Sequence, residues 1–212
     1  MAPSTPRAPR RLAPAQRREQ LVRAAMALLA AGGAEALSFE AVAQRAGVTR
    51  NLLYHYFPGG TAELLRAAAD LAGQDLVEGW TVDPELALQE RRVRNFGAMA
   101  RHAGTPTDAW AVSRISSVST DPAIRELNAR YRGQIVAAIA LNALGTTELA
   151  PMQRAALEAY LAFAEALLDR GRERKLPVEE VVGVLSSMLD ATVRTVAPDR
   201  AGKEPRSAGS SG

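Results

Sequence analysis

From Arg50 to Tyr56 the chain reads Arg-Asn-Leu-Leu-Tyr-His-Tyr. Seven residues hold one fixed cation, one amide, three polar rings and no acid. Arg and Asn make paired hydrogen bonds to base edges in the major groove of DNA. Tyr hydroxyls and a His ring N–H donate to phosphate oxygens. An ordinary solvated helix carries Glu, Lys and Gln instead, and three neighbouring rings cannot all turn inward at 3.6 residues per turn. The chemistry on offer is recognition of a polyanion. Catalytic chemistry finds little footing. The two histidines, His55 and His102, lie far apart, and there is no cysteine. No HExxH, GxSxG, P-loop or GxGxxG motif occurs. An enzyme, a metal site and a cofactor are therefore not expected.

The elements that must hold those seven residues run from Ser38 to Phe57. Phe39, Val42, Ala43 and Ala46 repeat at helical spacing. Ser38 stands where an N-cap belongs. Gly47 follows the last periodic residue and suits the left-handed conformation that ends a helix. Thr49 is then a second N-cap, and Leu53 and Phe57, four apart, are the buried edge of the second helix. Helix, short Gly-containing turn and helix make the helix-turn-helix pattern. A first helix from Ala15 to Ala31, with Leu21, Ala25, Leu28 and Leu29 inward, is expected to pack on it. Thr61 is expected to cap a longer fourth helix with Leu64, Leu65, Ala68, Ala72 and Leu76 inward.

In these residues the sequence resembles the tetracycline-repressor (TetR) family of bacterial transcriptional regulators. The resemblance lies in an amphipathic first helix, SFEAVAQRAG, VTRNLLYHYF and a longer fourth helix, in that order. It covers about residues 15–75, and its most specific part is Gly47 to Phe57. It implies a DNA-binding regulator, with repression the favoured sign, that acts as a homodimer on a palindromic operator and answers to a small-molecule effector. The implied DNA-contacting set is Arg17, Arg18, Ser38, Thr49, Arg50, Asn51, Leu52, Tyr54, His55 and Tyr56. One departure stands out. Relatives place a Lys in the turn before the fourth helix, where it meets a phosphate; this chain has Gly59 and Gly60. The contact is expected to be lost, or taken over by backbone N–H groups at the helix start.

Composition supports the same picture. Of 26 Lys+Arg and 23 Asp+Glu, residues 1–60 hold eight arginines and three glutamates, so positive charge gathers around the reading head. No apolar run reaches the roughly 20 residues of a membrane span. With no apolar stretch of a secretory signal either, a cytoplasmic protein is expected. The expected class is all-α: an N-terminal three-helix helix-turn-helix domain and a C-terminal helical domain for ligand binding and dimerisation. The expected partition is 1–14 as a disordered basic arm, 15–60 as the DNA-binding domain, 61–197 as the effector and dimerisation domain, and 198–212 as a disordered tail.

Breaks at Asp83-Pro84, Gly104 to Pro106, Asp121-Pro122, Gly145 to Thr147 and Pro177 delimit five later helices. Their expected limits are Pro84–Ala103, Pro106–Ser119, Pro122–Leu144, Ala150–Arg172 and Pro177–Val196. The last two carry broad apolar arcs, with Glu158, Ala162, Glu165 and Asp169 the solvated stripe of the first. A dimer interface through Leu157, Leu161, Leu168, Val182, Leu185 and Leu189 is expected, as a four-helix bundle between two copies. Effector-pocket candidates are Trp80, Phe96, Met99, His102, Trp110, Tyr131, Tyr160 and Phe163, taken one by one more often plain core. A rival reading keeps the same scaffold as a ligand-independent architectural or division-linked DNA binder.

Overall fold

The computed structural model describes residues 12–80, 85–87, 90, 91, 97 and 107–196. Among these residues every regular element is helical. In order they are α1 (Pro14–Gly32), a 3-10 turn (Ala34–Ala36), α2 (Phe39–Ala46), α3 (Arg50–Tyr56), α4 (Gly60–Trp80), α5 (Asp108–Ser117), α6 (Pro122–Leu144), α7 (Pro151–Glu173) and α8 (Val178–Val196). None is long and apolar enough to cross a membrane.

Local chemistry explains most boundaries. α1 and α7 both open with Ala-Pro-x-Gln. Proline takes the first turn, where its missing N–H costs nothing. The Gln16 and Gln153 side chains accept from the backbone N–H of Ala13 and Ala150 at 3.2 and 2.9 Å. α1 ends at Gly33, whose N–H donates to Leu29 at 2.8 Å. At α2 the Ser38 hydroxyl accepts from Ala41 N–H at 3.1 Å, and Gly47 closes the helix in the left-handed region at φ 66°. α6 opens at Pro122 with Asp121 accepting from Ala123 N–H at 2.9 Å.

One expected cap falls elsewhere. α4 starts two residues early, at Gly60, so Thr61 lies inside the helix. α5 starts at Asp108, with the Thr107 hydroxyl accepting from Trp110 N–H at 3.2 Å. The expected Thr105–Pro106 start lies outside the described residues. So do most of the expected Pro84–Ala103 helix, nearly all of the N-terminal arm and the C-terminal tail.

The described residues group into two compact units. The first holds 12–79 and 107–133; the second holds the remainder, from Trp80 onward and from Gln134 to Val196. This grouping differs from a cut at residue 60, because α4 and α5 pack within the same unit as the helix-turn-helix. In the first unit, α1 buries Leu21, Val22, Ala25, Met26 and Leu29 and packs on α2 and α5. Arg23 joins α1 to α4 through Asp75 at 2.9 Å, a bond that holds the guanidinium protonated. α4 meets α6 at Gly73, where an added Cβ would lie 2.1 Å from the Tyr131 ring. The Tyr131 hydroxyl and Arg130 each donate to Asp70 at 2.7 Å. Burial raises the Tyr131 phenol pKa, keeping it a donor.

In the second unit α7 packs on α8. Leu157, Leu161, Leu168, Leu185 and Leu189 are buried in this single chain. Tyr160 donates to the carbonyl of Leu185 at 3.2 Å, and burial pushes its phenol far above the usual range. Gly171 permits close approach: a Cβ there would lie 2.9 Å from Val181.

Candidate nucleic-acid interface

α3 is short, and its placement depends on two side chains. Leu53 and Phe57 are completely buried. With that edge fixed, 3.6 residues per turn sends Arg50, Asn51, Tyr54 and His55 to solvent and leaves Leu52 and Tyr56 half-buried. The rings are therefore not core. Tyr54 is 47% exposed and meets Phe39 of α2 edge-on, with centroids 4.9 Å apart. His55 and Tyr56 meet edge to face at 5.3 Å.

The cations around α3 are individually oriented. Arg50 donates to the Tyr54 hydroxyl at 2.8 Å and lies over its ring. That contact braces the guanidinium while other N–H groups face solvent. Arg17 donates to Gln20 at 2.5 Å, and Gln20 in turn donates to the Ala46 carbonyl at 3.4 Å. A side chain of α1 is thus tied to the end of α2. Arg18 stacks over the Phe57 ring at 5.0 Å, which ties α1 to the end of α3. Thr49 has the extended backbone of an N-cap, but its hydroxyl makes no cap hydrogen bond. Ser38 spends its oxygen on its own cap, though the residue is exposed.

The structure thus gathers all ten sequence-predicted residues in one unit, on α1, α2 and α3. Two further residues of this unit are not in that set. Arg45 is exposed on the last turn of α2; a lone Arg on a solvated face carries no distinguishing pattern. Glu63 is the more consequential. Its carboxylate accepts from the Gly59 N–H at 2.8 Å. An anion already occupies the start of α4, so the expected takeover of a phosphate contact by backbone N–H groups fails at Gly59. The signal for it is Glu in the first turn of a helix, three residues after its start.

The effector candidates are divided between the two units. Trp110 and Tyr131 belong to the first unit; Trp80, Tyr160 and Phe163 belong to the second. Tyr131 and Tyr160 use their hydroxyls on Asp70 and Leu185. Phe96, Met99 and His102 lie outside the described residues. Of the residues assigned to a dimer interface, five are covered by the chain's own helices and Val182 is half-buried. They form the intramolecular seam. The outward faces are different. On α7 Ala155, Ala159, Ala162 and Ala166 are exposed along with Glu158, whereas Glu165 and Asp169 are only half-exposed. On α8 Val184 and Met188 are 48% and 42% exposed, beside Gly183 and Ser187.

Comparison with known proteins agrees with this geometry. Residues 21–68 match the family model described as bacterial regulatory proteins, tetR family. An uncharacterized HTH-type transcriptional regulator of Mycobacterium tuberculosis, found in strains CDC 1551 / Oshkosh and H37Rv, is 44% identical over 57 residues. That stretch is 27% of this chain and 29% of the relative, so the chain spans under a third of the curated relatives it matches. Among solved structures, a tetR-family transcriptional regulator from Streptomyces coelicolor superposes with a TM-score of 0.73 at 23% identity, covering 88% of this chain and 84% of that one. A TetR-like transcriptional regulator from Rhodococcus sp. RHA1 gives 0.66 at 23% identity, covering 84% and 96%. At such identities the likeness establishes the fold.

Proposed function

We propose that this chain, whose N-terminal domain belongs to the tetR family of bacterial regulatory proteins, is a homodimeric repressor that binds a palindromic DNA operator and is released by a small, lipophilic effector. The observation that carries the reading is the outward face of α3: Arg50 and Asn51 in its first turn, with exposed rings behind them and no acid among its seven residues. Arg50, Asn51 and Leu52 read base edges, the Leu through a thymine methyl. Thr49, Tyr54, His55 and Tyr56 hold the sugar-phosphate walls, with Arg17, Arg18 and Ser38 flanking.

Self-association is supported by the outer faces of α7 and α8. Exposed alanines on one, and Val184, Met188 and Gly183 on the other, present apolar surface with little side-chain bulk. Such faces suit close helix packing between two copies. Effector binding in the second unit is supported by Asn142 on α6. It is 1% exposed, and neither atom of its amide has a hydrogen-bond partner. A buried amide without partners costs about 1–3 kcal/mol, which a ligand offering both a donor and an acceptor would offset.

The test is titration of the full chain onto operators selected from random DNA. Tight binding to palindromic sites, with log affinity falling linearly as log salt rises, is expected. Equal affinity for every sequence at all salt concentrations would refute base reading by α3.

A further inference from the structure

Hydroxyls on helices ordinarily turn back on the preceding turn. Ser186, Thr192 and Thr195 of α8 donate to Val182, Met188 and Ala191 at 2.8 to 2.9 Å. Ser117 donates to Arg114 at 2.7 Å. Its neighbour Ser116 does not follow the pattern. Ser116 is only 5% exposed, and its Oγ has no hydrogen-bond partner.

Ser116 also lines a cavity of about 280 Å³ that lies wholly within the first unit. Leu65 of α4, Ile115 of α5 and Ile124 of α6 form its apolar walls, with Ala34 of the 3-10 turn. Val118, 81% exposed despite its apolar side chain, stands on the loop between α5 and α6 at the edge of the cavity. That loop is held in place before anything binds. The Ser119 hydroxyl accepts from Asp121 N–H at 3.2 Å, and Asp121 is paired with Arg66 of α4 at 2.8 Å. The Arg66 bond keeps the Asp121 carboxyl below its ordinary pKa.

We propose that this cavity binds a small, mostly apolar molecule through one oxygen that accepts a hydrogen bond from Ser116. The volume lies just under the roughly 300–1,000 Å³ usual for small-molecule sites, so the ligand is no larger than a substituted single ring. The Ser116 Oγ is enclosed in the unliganded chain, so binding requires it to turn about χ1 into another staggered well that faces the cavity. The walls come from the 3-10 turn between α1 and α2, from α4, α5 and α6, and from the α5–α6 loop, so an occupant touches several elements of the first unit at once. The site is separate from the effector site proposed for the second unit, and its test uses no DNA, so either reading can fail alone.

The chain holds four isoleucines, Ile115, Ile124, Ile135 and Ile139, of which the first two line the cavity. With isoleucine methyls labelled for NMR in the full chain, the probes are acetophenone and α-methylstyrene, which differ by a carbonyl oxygen against a methylene. Acetophenone should move the Ile115 and Ile124 methyls, leave Ile135 and Ile139 in place, and bind roughly three- to tenfold tighter than the hydrocarbon, as one hydrogen bond allows. Ser116→Ala should erase that preference while both probes still bind. Absence of shifts at Ile115 and Ile124 would overturn the site. Equal affinity of the wild type for both probes would overturn the role of Ser116, whether or not the variant folds.

Discussion

α3 and the α7–α8 pair solve opposite problems. α3 has seven residues, of which Leu53, with Phe57 just beyond its end, anchors it, and apart from the half-buried Leu52 what it offers outward is polar. α7 and α8 have 23 and 19 residues and a leucine seam between them, and among their charged residues they also expose a run of alanines, Val184 and Met188. A short helix cannot stand alone, so the head must spend its few apolar positions on being held. A long pair has apolar surface to spare. In each region the outward surface is what remains after the fold is secured: mostly hydrogen-bonding groups in the head, more apolar area in the pair.

The strongest challenge to that contrast is to cut both seams. Phe57→Ala should cost about 3–5 kcal/mol and Leu185→Ala about 2–5 kcal/mol in urea unfolding, because both side chains are fully buried. A small loss for Leu185→Ala would mean that the seam belongs to an interface between copies. Next, Val184→Glu combined with Met188→Glu should lower the unfolding midpoint only by what dimerisation supplies and abolish its rise with protein concentration. It should yield monomers in sedimentation and weaken operator binding about a hundredfold or more, since the two half-sites are no longer linked. An intact dimer would move the interface off this face.

Within the head, Arg50→Ala should cost about 1–3 kcal/mol of DNA binding per half-site and relax preference at one symmetric pair of positions. Tyr56→Phe should instead weaken specific and unrelated DNA alike. Selection from randomised operators would expose the reverse pattern. A finer comparison sets the two caps against each other. Ser38→Ala should lower stability by about 1 kcal/mol, because its cap bond is made. Thr49→Ala should leave stability within a few tenths of a kcal/mol and reduce DNA affinity, because its hydroxyl makes no cap bond. The smallest effect belongs to Glu63→Gln. Losing a negative charge at the start of α4 should lower stability by about 0.3–1 kcal/mol at most and raise affinity for any DNA, more so at low salt. Unchanged affinity at low salt would place this turn away from the phosphates.

The sequence by itself determined the helices and the character of the reading face. Capping by Ser38, the left-handed Gly47, proline at the first turn of α1, α6 and α7, and the exposed polar set on α3 are interactions within a few residues. Short-range periodicity and stop signals are enough to reveal them. Tertiary packing decided the rest. Whether an apolar arc of α7 faces α8 or a second copy depends on which of two equivalent stripes meets the neighbour, and sequence periodicity is blind to that choice. It therefore named Leu157 and Leu185 for the interface, where the folded chain leaves Val184 and Met188 exposed. The Glu63 carboxylate on Gly59, the Arg18 stack on Phe57 and the orphaned hydroxyl of Ser116 arise from backbone geometry and from contacts between separate elements. An orphan is the clearest case: a serine's own spacing suggests a partner one turn back, and only the assembled packing shows that the bond is not made.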